Sequence, residues 1–308
     1  MLANAKKSSS ISIKKDLDNN SKYKNKYFME KLSKNIFFMS ALVAVISLFL
    51  IIGFVFYKGL TPFFSKGFSM VDFLTGVEWL PGSEKFGIAP MIIASIIATL
   101  GALLIGVPVG IFTAVFIAEV APKKVSKIMS PLIELLAGIP SVLYGVFGLS
   151  FIVPLIQNIF NLPKGQSLLA VIIVLAIMML PTIILVSETA IKAVPKSYKE
   201  GSLALGASKI ETIFKVIIPS AKSGILAGIV LGIGRALGET MAVILVAGNS
   251  PVIPTSITDS VRPLTTNIAL EMGYAFGTHQ EMLFATGVVL FSFILALNLL
   301  LNKLSKGE

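Results

Sequence analysis

The sequence predicts an all-α polytopic membrane protein with six transmembrane helices, and three observations predict it. Hydrophobic residues make up 55% of the chain and charged residues only 14%, where a soluble domain carries about 25% charge; the mean hydropathy is +0.88. Six apolar runs reach the length of about 20 residues that crosses a hydrocarbon core at ~1.5 Å per residue. They lie near 36–57, 89–118, 129–156, 167–189, 222–247 and 282–302. The lysines fall in blocks between those runs, so the net charge of +10 is a topology signal rather than a nucleic-acid patch. The expected partner is the lipid bilayer, and no nucleic acid.

Residues 1–35 hold Lys6, Lys7, Lys14, Lys15, Lys22, Lys24, Lys26, Lys31 and Lys34 among Ser and Asn. This basic segment is expected to be a disordered tail on the cytoplasmic side. The first run is too long for a signal-peptide core and reads as an uncleaved anchor. Trp79, the single tryptophan, is expected to sit at the membrane interface before the second run. In that run GVPVG at 106–110 predicts a kink or local break around Pro108. Lys123, Lys124 and Lys127 place the next connection inside. So do Lys192, Lys196, Lys199, Lys209, Lys215 and Lys222 for the one after, and Lys303 and Lys306 for the C-terminus. The membrane-spanning body is thus expected over 36–303, with 304–308 a short tail and both termini cytoplasmic. The outer segment 248–281 contains Arg262 and the apolar stretch NIALEMGYAF, which suits a helix dipping back toward the membrane. His279, the one histidine, is expected to be a solvated loop residue.

Composition also excludes chemistry. There is no cysteine, hence no disulfide framework or thiolate site, and one histidine cannot build a histidine-rich metal site. No nucleophile–base pair appears in the spans. No catalytic residue, metal or cofactor is expected, and the chain is not read as an enzyme.

The connection between the fourth and fifth runs, AVPKSYKEGSLALGASKIETIFKVIIPSAKSG at 193–224, is too long for a turn and too polar to span. Ser197 with Glu200, and Ser208 with Glu211, have capping-box spacing. Gly206 suits a left-handed helix end, and Pro219 is expected to stop a second helix before the fifth span. Two short helices meeting at Gly206 follow, with Tyr198, Leu203, Leu205, Ile210, Ile213 and Phe214 offering apolar surface for docking. Gly201 and Gly206 have the glycine spacing of a phosphate-cradling loop. Ala207 stands where its lysine would be and no strand precedes it, so ATP does not bind there.

The stretch EGSLALGASKIETIFKVIIP, 200–219, resembles the EAA loop of type I binding-protein-dependent ABC importer permeases. Glu200, Gly206, Val216, Ile218 and Pro219 fall on the pattern, while Gly201 and Ser202 replace its two alanines. ELLAGIPSVLYGVFGL (134–149), GRALGETMAVILVAGN (234–249), LTTNIALEMG (264–273) and FLTGVEWLPG (73–82) are similar to the phosphate-specific branch of that family, the PstC subunits. The resemblance covers about 36–303. It implies the MetI-like fold and coupling helices at about 195–219, in which Glu200, Gly206, Ser208 and Pro219 serve docking to an ATPase. It further implies a heterodimer with a second, PstA-like permease subunit, two PstB-like ATP-binding subunits and a PstS-like phosphate-binding protein outside.

GRALGET at 234–240 puts two charges in an apolar run, each costing about 2.5–3.5 kcal/mol at the membrane centre. Arg235 and Glu239 have the i, i+4 spacing that lets them pair on one helix face. Gly224, Gly228 and Gly232 repeat every four residues, so another helix can approach closely and the fifth span is expected to be central. Arg235 and Arg262 are the only arginines in a lysine-rich chain. A guanidinium stays charged when desolvated and grips an oxyanion with two parallel donors. Arg235 is therefore a candidate contact for phosphate in transit, with Glu239 holding it between visits; the alternative is a structural pair. Glu134, Ser141 and Tyr144 are lesser candidates for the pathway.

Three functions fit such a chain. The first is half of the pathway of an ATP-driven inorganic phosphate importer working by alternating access, or of an importer of another oxyanion. The second is a secondary anion transporter using the Arg–Glu pair, although no inverted repeat is evident. The third is a membrane sensor or scaffold that transports nothing.

Overall fold

The computed structural model describes residues 2–306, with side chains over 26–299 and at 303. The chain divides into two compact units, residues 1–55 and 56–308. The first is helical throughout its described residues, as the beginning of α1 (Leu2–Ser65). That helix takes in the segment for which the sequence led us to expect disorder. Before Gly53 the chain has neither glycine nor proline, so nothing in the backbone interrupts a helix.

In the second unit, α2 (Met70–Thr75) is capped by Ser69, whose hydroxyl accepts the Asp72 amide. A small hairpin follows, β1 (Trp79–Leu80) against β2 (Lys85–Phe86), pairing Trp79 with Phe86. The turn closes through Pro81–Ser83 and Glu84, which takes a left-handed φ of 52°. The remaining helices are α3 (Ala89–Val115), α4 (Lys123–Ala137), α5 (Ser141–Phe147), α6 (Val153–Ile159) and α7 (Leu168–Lys192). After them come α8 (Lys196–Ala204), α9 (Lys209–Thr212), α10 (Ile218–Ser220), α11 (Lys222–Gly238), α12 (Met241–Val246), α13 (Leu264–Glu271) and α14 (Thr278–Lys306). Five helices among the described residues are long and apolar enough to cross a membrane, and a sixth span is the bent pair 209–220 and 222–238, inclined by 69°.

Two spans differ from the sequence reading. The third was expected as one helix over 129–156. Instead α4 ends at Gly138, and the run that crosses is 141–159. Ile139 precedes Pro140, a position biased away from helix. The fifth was expected to continue to 247, but α11 stops at Gly238 and Glu239 is extended, with ψ 133°. By contrast α3 passes through Pro108 without a break.

Pro108 is not where the bundle distorts. π-turns lie at Phe116–Val120, Gly148–Ile152 and Ile213–Ile217. Each is closed by an amide bonding five residues back: Ala121 to Phe116, Val153 to Gly148, Ile218 to Ile213. Each of those three residues is followed by a proline, Pro122, Pro154 and Pro219. A proline ring collides with the carbonyl four residues before it, and widening the preceding turn moves that carbonyl aside.

The core is built on α7, the fourth span, not on the fifth. Its residues Ala170, Val171, Val174, Met178, Met179 and Ile183 are almost wholly buried. Glycines of α3 and α11 let both helices close on it. A Cβ on Gly110 would lie 2.7 Å from Ile183 Cγ2, and one on Gly224 would lie 2.3 Å from the Ala190 Cβ. Gly228 and Gly232 meet Ser187 and Ile183 on the same face. The every-fourth-residue glycines of α11 thus act as expected, toward a neighbour that is itself the centre.

Candidate functional site

At the end of the unit that carries α8, the connecting segment folds as two short helices. Gly206 takes φ +87°, the left-handed position the sequence called for, and α9 opens with a complete capping box. The Glu211 amide bonds Ser208 Oγ at 3.2 Å and the Ser208 amide bonds Glu211 Oε2 at 3.0 Å. The other expected box does not form: α8 starts after Pro195 with no side-chain cap, because Pro195 supplies the helical φ at the point where the chain turns in. Pro219 lies inside the bent element, and the break follows at Ala221. Glu200 is exposed. Tyr198, Leu203, Leu205, Ile210 and Phe214 are exposed as well, Leu205 at 91%, whereas Ile213 is buried. Lys199 of α8 pairs with Glu119 in the first π-turn, and Ser202 and Thr212 share a hydrogen bond of 2.9 Å between α8 and α9. The segment is therefore a preshaped, partly apolar surface tied to the end of α3.

Arg235 lies in the last turn of α11, half-buried. Among the described residues it makes no hydrogen bond and no ion pair. The pair with Glu239 is not formed, since the helix ends between them. Glu239 instead accepts the Ala242 amide on Oε1 at 3.1 Å and caps α12. Its backbone carbonyl accepts the Thr265 hydroxyl at 2.8 Å. Between α3, α7 and Glu239 the packing leaves about 10 Å³, room for one water. Tyr144 is buried, and its hydroxyl donates to the Leu136 carbonyl at 2.7 Å, pinning α5 to the end of α4 across the Pro140 break. Ser141, half-buried, is the first residue of α5; Glu134 is exposed on α4. Two broken helices lie side by side here, because Gly145 of α5 abuts Ala242 of α12. The structure thus brings Arg235, Tyr144 and Glu239 to one region and leaves Glu134 on the surface.

Sequence reasoning missed a second polar centre, at the end of α3 away from α8 and α9. Glu271 is only 7% exposed. Its Oε1 accepts Arg262 Nη1 at 2.7 Å, and its Oε2 accepts Trp79 Nε1 at 2.8 Å and meets His279 Nε2 at 2.8 Å. Trp79 is therefore no interfacial anchor: it is 4% exposed and edge-on to Phe86. His279 is no solvated loop residue, being half-buried between the Trp79 and Tyr274 rings. The donors come from three separate places in the chain, so no local pattern announces them. Glu188 of α7 is another buried carboxylate, satisfied by Ser130 at 2.8 Å and Lys192 at 2.5 Å. No group of three or more metal-ligating side chains occurs among the described residues.

Comparison with known proteins places this architecture. The chain is 43% identical over 254 residues to the Probable ABC transporter permease protein YqgH of Bacillus subtilis (strain 168), covering 80% of this chain and 82% of that one. It is 37% identical over 245 residues to the Phosphate transport system permease protein PstC of Mesorhizobium japonicum, covering 73% and 74%. Among solved structures it superposes with a TM-score of 0.64 and 18% identity on a bacterial ABC transporter that imports the acidic polysaccharide alginate, covering 91% of this chain and 98% of that chain. Residues 106–307 match the family described as binding-protein-dependent transport system inner membrane component. With its bent and broken spans and its two short connecting helices, the chain belongs to that family: it is a multi-pass permease of an ABC importer, with the MetI-like fold.

Proposed function

We propose that this permease carries inorganic phosphate, forming half of the translocation pathway with a second, PstA-like permease subunit. The carrying observation is Arg235, a half-buried guanidinium with no partner among the described residues at the point where the fifth span breaks. An unpaired cation at depth is costly, and an oxyanion is the ligand that best repays it, through two parallel charge-assisted bonds. Irregular backbone at membrane depth is tolerated where it lines a cavity, and broken helices mark substrate sites in other transporters. The PstC name of the Mesorhizobium relative points to phosphate, whereas the name of the Bacillus relative carries no substrate. Permeation of another oxyanion is the second reading, favoured by that same arginine.

The lysine blocks put both termini and the α8–α9 end in the cytoplasm. There the exposed apolar residues of α8 and α9, with Glu200, Gly206, Ser208 and Pro219 shaping them, dock one of two PstB-like ATP-binding subunits. A PstS-like phosphate-binding protein delivers substrate to the other face. ATP hydrolysis belongs to the partner subunits and this chain contributes none. Alternating access then follows from movement of α8 and α9 passed to α3 and α11. Membership of an ABC importer family removes the reason to invoke an ion-coupled carrier or a silent scaffold.

Labelled-phosphate uptake in cells lacking this chain and any second phosphate system tests the reading. Wild-type chain should restore uptake that depends on ATP and ignores excess sulfate. Uptake of sulfate in place of phosphate would move the assignment to another oxyanion.

A further inference from the structure

We propose that Glu271 is a positioning residue which, through α13, sets the geometry of the break in the fifth span beside Arg235. The inference rests on the Arg235 reading only for its functional meaning. The C-terminal end of α13 is held by the Glu271 carboxylate, which gathers Arg262, Trp79 and His279 at 2.7–2.8 Å. These come from the loop after α12, from β1 and from the first turn of α14. Arg262 also donates Nε to the Asn249 carbonyl at 2.8 Å and Nη1 to Asn267 Oδ1 at 3.3 Å, so the loop that closes α12 is fixed to the middle of α13. The N-terminal end of the same helix is bonded twice to the spans. The Leu264 amide donates to Ser95 Oγ on α3 at 3.0 Å, and the Thr265 hydroxyl donates to the Glu239 carbonyl at 2.8 Å.

The 8-residue helix therefore bridges two places: the carboxylate that gathers the outer connections, and the backbone of the break. Thr266 and Asn267 at its centre are fully buried, so it cannot shift without disturbing one end or the other. Hydrogen bonds that share one buried carboxylate hold the groups around it in one geometry, with Asn267 Nδ2 the buried donor on α13 that has no partner among the described residues. Glu271→Gln leaves one acceptor oxygen for the Arg262 and Trp79 donors, and its amide NH2 cannot accept from either of them. Release at that end allows α13 to rock, and the Thr265 bond transmits the motion to Glu239 and the break.

The chain contains no cysteine, so a single introduced thiol reports one position. Gly238 is exposed and a Cβ there meets nothing within 4 Å, which makes Gly238→Cys the reporter. In the assembled transporter, Glu271→Gln should raise the rate of maleimide labelling at that thiol by about fivefold, the factor expected for loss of one net hydrogen bond. In a Thr265→Val background the same change should have no further effect. Labelling that Glu271→Gln leaves unchanged overturns the proposal. So does a response of equal size with and without the Thr265 hydroxyl, because the signal then bypasses α13. Should Glu271→Gln fail to assemble, Trp79→Phe removes one donor and keeps an aromatic ring. A smaller response of the same sign, again abolished by Thr265→Val, supports the proposal; no response overturns it. The readout involves no substrate, so uptake that survives Arg235→Ala would sink the phosphate site and leave this result standing.

Discussion

At the scale of single residues, charge placement follows whether a partner can reach. Glu188 and Glu271 are buried and satisfied by two or three donors each, whereas Arg235 is half-buried and has none among the described residues. The GRALGET stretch pointed to Arg235, and the arginine does stand apart. Its relation to Glu239 was misread because i, i+4 spacing pairs residues only where the helix continues, and here it ends at Gly238. Glu271 could not be found from sequence, since its three donors are 192, 9 and 8 residues away. A solvent-side carboxylate gives the pH prediction at this scale. Asp259 accepts the amides of Ser256 and Thr255 and the Thr255 hydroxyl at 2.8–2.9 Å, and the two amides and then the hydroxyl hold its carboxyl below the usual range. Its contribution to loop order is complete above the unfolded value of about 3.9 and is lost as pH falls through the lower folded value. The protection of the Thr255 and Ser256 amides, their exchange relative to the intrinsic rate at each pH, should therefore persist at neutral pH and fall only in that acid window. Asp259→Asn should bring the faster exchange at neutral pH.

At the scale of elements, existence was legible and continuity was not. The six apolar runs all correspond to helices, because hydrocarbon thickness fixes a length that composition reveals. Where a helix stops depends on the neighbour. Pro108, Pro131 and Pro181 sit inside unbroken α-helices, while Pro122, Pro154 and Pro219 each follow a π-turn. The sequence shows the six prolines alike; packing decides which carbonyl moves. The glycine spacing of α11 was readable, and its consequence is measurable. Gly224→Ala would place a methyl group 2.3 Å from the Ala190 Cβ. Overpacking of this kind costs roughly 1–3 kcal/mol, and the midpoint of thermal unfolding in detergent should fall accordingly. An unchanged midpoint would mean that α11 does not lie this close to α7.

At the scale of the whole molecule, residues 56–308 carry two specialised ends. One offers α8 and α9 with exposed Tyr198, Leu205, Ile210 and Phe214 on a frame held by the Ser208–Glu211 box. The other gathers the hairpin, α13 and the start of α14 on Glu271. Between them, α7 is clasped by α3 and α11 through glycine contacts, so the two ends are joined by packed helices rather than by loops alone. The α8–α9 end was legible in part, through the Ser208–Glu211 box and the left-handed Gly206, because caps and glycines are local signals. The other end was not, because it is assembled from distant side chains.

The central claim is that phosphate passes Arg235. The most direct measurement is ATP-driven uptake of labelled phosphate by the reconstituted transporter with wild-type chain, Arg235→Lys or Arg235→Ala, at equal assembly. A bidentate contact worth about 1.5–3 kcal/mol predicts that Arg235→Ala loses on the order of tenfold to a hundredfold in transport efficiency, with Arg235→Lys only partly restoring it. Transport at the wild-type rate in Arg235→Ala would contradict the account and leave the arginine a structural feature of the fifth span.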